Sequence, residues 1–196
     1  MGSAILAYER LSNAKFLSAY LAGEVPGGLL PIDELLIEER FAEYEEQFRK
    51  LVEEKTIVAE QSGDNWHDGA FRATDSDANN LAQMVTRLNE ALGLPRVEYP
   101  LPDEDRVTLG SRVELKNAAS RPYILDIVGV SGVYQRGEDD PEVTSLVSPV
   151  AKAVAGKRVG EVALMHRGDR SVVEISILSL DQSALQGLNP NEESER

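Results

Sequence analysis

Residues 37–58 read IEERFAEYEEQFRKLVEEKTIV, and residues 71–92 read FRATDSDANNLAQMVTRLNEAL. In the first stretch Ile37, Phe41, Tyr44, Phe48, Leu51, Lys55 and Val58 recur at alternating steps of four and three. In the second, Phe71, Thr74, Ala78, Leu81, Val85, Leu88 and Leu92 do the same in mirror order. That is the a/d spacing of a heptad over about three heptads, which places one apolar seam along each helix. Set antiparallel, Val58 falls opposite Phe71, Lys55 opposite Thr74, Leu51 opposite Ala78 and Phe48 opposite Leu81. Tyr44 then meets Val85, Phe41 meets Leu88 and Ile37 meets Leu92. Every pair of residue numbers sums to 129, so the midpoint lies between Asp64 and Asn65. It falls inside Gly63-Asp64-Asn65-Trp66-His67-Asp68-Gly69, a run with turn chemistry. The pattern predicts an antiparallel helical coiled-coil hairpin over 32–95, with its tip near 63–69. At 1.5 Å per residue, arms of about 27 residues reach roughly 40 Å. Such a rod is a poor enzyme core and a good probe for a narrow channel. The competing arrangement is an ordinary bundle in which the arms fold back on residues 4–22.

On either side of the hairpin the sequence changes character. Residues 4–22 are helix-like, with Leu11, Phe16, Leu17 and Leu21, and end at the breaker run Gly23-Glu24-Val25-Pro26-Gly27-Gly28. Residues 1–31 are therefore expected as a helical extension. After Gly93-Leu94-Pro95, residues 96–106 read as a linker with Pro100 and Pro102. From Val107 the pattern turns β-like, with strands expected at 107–115, 123–128, 159–165 and 172–180. Between the second and third strands, Ser148 suits an N-cap, Pro149 the first helical position, and Gly156 the position past the end. Residues 107–185 thus predict a small antiparallel sheet on one short helix, and 186–196 form a polar tail. The fold class is α+β.

The chain has 196 residues and a formal net charge of -14, from 34 Asp+Glu against 20 Lys+Arg. Such acidity argues against independent DNA or RNA binding, which rests on Lys and Arg neutralising phosphates. There are no cysteines, which excludes thiolate zinc sites, and only two histidines, His67 and His166, which argues against a multi-histidine cage. No stretch approaches the roughly 18 apolar residues of a membrane span, and no basic start precedes the short apolar run at Ala4 to Leu6. A soluble cytoplasmic protein is the expectation. Residues 32–92 hold 15 acids and six bases, a net charge of -9.

Three C-terminal stretches carry a resemblance. VTLGSRVEL (107–115), SPVAKAVAGKRVGEVA (148–163) and VVEISIL (172–178) resemble the C-terminal domain of bacterial Gre transcript-cleavage factors. That family places an antiparallel coiled coil before this domain, so the likeness extends over about residues 32–182. The resemblance implies an FKBP-like fold for the C-terminal domain. It also implies a transcription elongation regulator that is not itself an enzyme but acts through RNA polymerase. The globular domain docks at the rim of the secondary channel, and the coil brings tip acids to the active-centre Mg²⁺. The ion is shared with polymerase rather than bound independently. Carboxylates suit this, because Mg²⁺ takes oxygen ligands and borrows one or two of them.

The family's tip motif is close to GDLSENAEY, and here residues 63–71 read GDNWHDGAF. By the resemblance, Asp64 matches the first tip acid and Phe71 the tip-proximal aromatic. The second acid aligns with His67, and Asp68, one position on, stands in for it if the loop is shifted. Asp64 and Asp68 are thus the candidate catalytic and metal-directed acids, with Trp66, His67 and Phe71 as further tip contacts. Their plainer roles are turn and cap for the two acids and packing over the hairpin end for Trp66. Ser148 and Pro149 explain themselves as a helix start. By the resemblance, their loop is also where Gre domains touch polymerase. Cleavage-active coils present bases toward RNA. Only Arg49, Lys50, Lys55 and Arg72 are placed to do so here, so contact with the RNA 3′ end is expected to be weak. A homologue that slows or blocks nucleotide entry without cleaving is the alternative. A prolyl isomerase or chaperone is a remote one, since 107–180 offers only Tyr123 and Tyr134 as pocket aromatics.

Overall fold

The computed structural model describes residues 10–62, 69–101, 104–117, 120–134, 137–138 and 140–186, with backbone alone at 55, 58–62 and 69–75. Four helices are described: α1 (Asn13–Leu21), α2 (Pro31–Ser62), α3 (Gly69–Leu92) and α4 (Pro149–Val154). Five strands are β1 (Arg112–Asn117), β2 (Tyr123–Val128), β3 (Glu142–Ser145), β4 (Val162–His166) and β5 (Val172–Asp181). The chain divides into two compact units. One comprises residues up to Glu34 together with those from Leu94 onward; the other is Leu35–Gly93.

The Leu35–Gly93 unit is built from α2 and α3. Burial along both helices follows the heptad positions. Ile37, Leu81 and Leu88 are buried, and Phe41, Tyr44, Leu51, Ala78, Val85 and Leu92 are half-buried. The glutamates of α2 between these positions are mostly exposed, and Arg40–Glu43, Arg49–Glu46 and Lys50–Glu46 pair along the helix surface. Exposed pairs three or four residues apart contribute only a few tenths of a kcal/mol each, about 0.2–0.5. Among the seam positions whose side chains are described, Phe48 stays open, 44% exposed.

The other unit is a five-stranded sheet in the order β3-β2-β1-β5-β4. β1 runs antiparallel to both β2 and β5, and β4 antiparallel to β5, as the sequence predicts. β3 departs from the pattern: it lies parallel to β2, from Leu125↔Glu142 to Val128↔Ser145. A parallel neighbour needs a crossover, and here residues 129–141 supply it, including a 3-10 turn at Ser131–Val133. The β1–β5 register slips between Glu114 and Leu115, a bulge. Alternation sends Val113, Leu115, Ile175 and Ile177 to the buried face. Across β1 and β2, Arg112 grips fully buried Asp126 with two bonds of 2.7 and 2.9 Å, which holds the guanidinium above its usual range.

Residues 10–34 belong to the same unit as the sheet rather than standing apart as an extension. Residues 95–98, at the junction of the expected coil and linker, lie between two pieces of the N-terminal segment. Leu11 N–H donates to Arg96 O (2.8 Å) and Glu98 N–H to Leu11 O (2.9 Å). On the other side, Leu29 N–H donates to Pro95 O (3.0 Å) and Val97 N–H to Leu29 O (2.8 Å). Phe16, Leu29, Leu30 and Val97 are fully buried with Leu109, Ile127 and Leu146. Asn13, buried, donates to Leu109 O (2.9 Å) and Glu98 O (3.1 Å) and accepts from Thr108 Oγ1 (2.5 Å). Helix α1 ends in a Schellman arrangement: Glu24 N–H reaches Ala19 O, Gly23 N–H reaches Tyr20 O, and Gly23 takes φ +74°.

Candidate functional site

The loop from Ser145 to Pro149 is built by local rules. Ser148 sits in extended conformation, and its Oγ accepts from Ala151 N–H (3.3 Å) while bonding Thr144 Oγ1 (2.8 Å). Pro149 follows at the first helical position, where its missing N–H costs nothing. Helix α4 ends before Gly156, whose φ of +75° suits glycine. The hydroxyl of Ser148 is therefore engaged within its own turn. What the loop offers outward is Val147, half exposed, and the ring of exposed Pro149. Ser148 is the residue that shapes the loop, and Val147 and Pro149 are the residues it leaves exposed.

Beside this loop a shallow cleft opens between the sheet and α4, lined by Tyr123, Leu125, Val143, Val150, Met165 and Ile175. Burial pushes the Tyr123 hydroxyl above its usual range, and nearby Glu142 adds to the effect. Tyr123 is the one aromatic in this lining. Tyr134 is occupied elsewhere, its hydroxyl donating to Asp33 Oδ1 (3.1 Å).

Asp33 is a feature the charge pattern conceals. It lies in the first turn of α2 and counts among the hairpin's acids, yet it is fully buried. Its Oδ2 accepts from Leu30 N–H (2.8 Å) and Gly129 N–H (3.1 Å), and its Oδ1 from Val130 N–H (3.3 Å) and Tyr134. The reach back to Leu30 is half of a capping box. Burial raises its carboxyl above the usual range, opposed by these four donors. Gly129 allows the approach, since a Cβ there would lie 2.2 Å from Gly28 O and 2.8 Å from Asp33 Oδ2. The adjacent Glu34 bridges Arg96 (2.7 Å) and Arg10 (2.9 Å). The signal that would have flagged Asp33 is its position three residues after Leu30, just past Pro31, with the acid facing a helix start.

Asp64, Trp66, His67 and Asp68 lie outside the described residues, and Phe71 is described only as part of the α3 backbone. Helices α2 and α3 bracket that segment, ending at Ser62 and starting at Gly69. Ser148 and Pro149 are in the other unit, so the candidate residues belong to two separate places on the chain. Among the described residues no group of three or more His, Asp or Glu is placed to hold a metal ion, and no helix is long and apolar enough to cross a membrane.

Comparison with known proteins gives one family match. Residues 102–182 match the model for the C-terminal domain of the transcription elongation factors GreA and GreB. This range takes in all five strands and α4. No curated protein matches the chain. Among solved structures, the GreA factor homolog 1 (Gfh1) of Thermus thermophilus is similar at 19% identity, covering 79% of this chain and 97% of that one, with a TM-score of 0.35. Gfh1 of Thermus aquaticus is similar at 18% identity, over 79% and 97%, with a TM-score of 0.36. The GreA/GreB factor of Nitrosomonas europaea stands at 16% identity, over 79% and 97%, with a TM-score of 0.32. Over residues 102–182, which hold the sheet and α4, the chain is thus similar to a Gre-type C-terminal domain.

Proposed function

We propose that this chain, whose residues 102–182 match a Gre-type C-terminal domain, is a transcription elongation regulator that enters RNA polymerase through the secondary channel. The family match over the sheet and α4 is the observation that carries the reading. Two long helices bearing a buried heptad seam support it, because they flank the GDNWHD segment at 63–68. In this reading Val147 and Pro149 present the loop to the channel rim, with Ser148 holding its shape. The helical arms carry Asp64 and Asp68 to the active centre, with Trp66, His67 and Phe71 beside them. Two carboxylates are a donor set that suits Mg²⁺, and that ion, when bound, supplies the clamp on attacking and leaving oxygens. The chain's own part is to position the acids and occupy the channel.

A non-cleaving inhibitor is the second reading. His67 stands where the family's second tip acid is expected, and imidazole is a poor Mg²⁺ ligand. The net charge of -9 over residues 32–92 also leaves few bases to hold RNA. One experiment separates the two. Backtracked complexes of the cognate polymerase are incubated with the protein and Mg²⁺. Release of short 3′ RNA fragments, lost in Asp64→Ala, establishes cleavage stimulation. Slower elongation without fragments establishes inhibition. Absence of any polymerase binding overturns both.

A further inference from the structure

The N-terminal segment meets the Val147–Pro149 loop directly. Tyr20, on α1, donates its hydroxyl to Leu146 O at 2.9 Å, across 126 residues of sequence. Leu146 is itself buried and immediately precedes the exposed Val147. The Tyr20 ring lies 6.0 Å from that of Phe16, which is fully buried, so the donor is held on a fixed platform. The next residue, Leu21, closes on the far end of α4: its Cδ1 lies 2.9 Å from where a Cβ on Gly156 would stand. Gly27, past the end of α1, faces Val147 from below, with Val147 Cγ1 3.8 Å from its would-be Cβ. Three points on residues 20–27 therefore lie against Leu146 and Val147, just before α4, and Gly156, just past its end.

Within its own neighbourhood the loop is held by the Ser148 hydroxyl, which bonds Thr144 Oγ1 (2.8 Å) and accepts from Ala151 N–H (3.3 Å), by Val147 N–H on Ser145 Oγ (3.5 Å), and by two backbone bonds. Leu146 N–H reaches Val128 O (3.0 Å) and Ser148 N–H reaches Ser145 O (2.9 Å). The carbonyl of Leu146 takes its bond from the N-terminal segment. A six-residue helix such as α4 is too short to hold itself. We propose that α1 and the turn after it are a brace that pre-forms the Val147–Pro149 loop for its macromolecular partner, with Tyr20 as the positioning residue. Pre-forming a contact loop removes ordering cost from association. This inference rests on the reading of that loop as a polymerase contact.

The test uses the full chain and purified polymerase at a temperature where circular dichroism shows every variant folded. A loss of stability alone leaves affinity unmoved under that condition. Tyr20→Phe keeps the ring and deletes the donor. The expected result is about fivefold faster amide exchange at Val147 and Ser148, the loss of one net hydrogen bond, with a comparable weakening of polymerase binding. Tyr20→Phe and Pro149→Ala should couple, so that the double variant binds better than the product of the single losses predicts. Unchanged affinity in folded Tyr20→Phe overturns the brace, as does simple multiplication of the two losses. Val147→Asp tests the underlying reading separately. If it binds as the wild type does, or if the wild type does not bind at all, the polymerase-contact reading fails. Exchange at Val147 and Ser148 then decides the brace alone: acceleration in Tyr20→Phe keeps it, and no change overturns it.

Discussion

Asp33 and Asp181 show how differently two carboxylates can serve one unit. Asp33 is buried among four donors, with no acceptor among the hydrogen-bond partners described. An amide in its place turns one end into a donor. If that end replaces Oδ1, Tyr134 can rotate to accept, but Val130 N–H is left without a bond. Asp33→Asn is therefore expected to destabilise the protein by about 1–3 kcal/mol, read by urea denaturation. Asp181 lies near the surface and accepts from Ser183 Oγ (2.7 Å) and Ser183 N–H (2.8 Å), which hold its carboxyl below the usual range. A depressed folded value means stability that is present above the unfolded value, about pH 3.9, and is lost as pH falls through the folded one. Ser183→Ala should therefore flatten part of the acid limb of a Tm-against-pH curve and leave its neutral plateau nearly flat. Asp33 has the opposite sign: its contribution is fully present below its unfolded value and declines as pH rises through the raised one. The sequence carries a cap signal for Asp33 at the start of α2 but not its burial, and nothing in it marks Asp181. Asp33 counts there as one acid among 15, and only the approach of Gly129 and Tyr134, about 100 residues away, distinguishes it.

At the scale of elements, what could be read was what repeats. The heptad spacing of Ile37, Leu81 and Leu88 predicts the buried stripe of α2 and α3, because burial on a helix follows a fixed period. The span of α4 was legible for a different reason: the Ser148 side chain, the Pro149 ring and the positive φ of Gly156 each act on backbone within a turn of themselves. Strand β3 was not legible. Four residues, EVTS, show too little alternation to signal a strand, and its parallel setting on β2 is a tertiary fact. The tip residues Asp64, Trp66, His67 and Asp68 remain known by sequence position alone. The seam itself can be tested. Leu81→Ala removes a buried side chain, a change that costs about 2–5 kcal/mol in well-packed cores. Amides along α3 should exchange faster in that variant, whereas Gln83→Ala, on an exposed position of the same helix, should leave them as they are.

For the whole molecule, the -14 charge bears on encounter rather than fold. If the acidic arms are drawn into a basic channel, association with polymerase should slow as salt rises, since the Debye length shrinks from about 10 Å at 0.1 M to about 3 Å at 1 M. Dissociation should change less. Stopped-flow association rates at several ionic strengths measure this, and a salt-independent rate removes steering from the account.

The chain leaves the sheet-bearing unit at Glu34 and returns to it at Leu94. That has a consequence for biosynthesis. Asn13, Tyr20 and Asp33 are made before their partners Leu109, Leu146 and Tyr134, which follow 96, 126 and 101 positions later. At synthesis rates of about 5–20 residues per second, that is a delay of roughly 5–25 s. Helices α2 and α3 have all their residues first and make local contacts, so they can form while the N-terminal segment still waits for its partners. Phe16, Leu29 and Leu30 then spend those seconds in contact with solvent or a holding factor, and a ribosome stalled after Leu94 would expose them for as long as it paused.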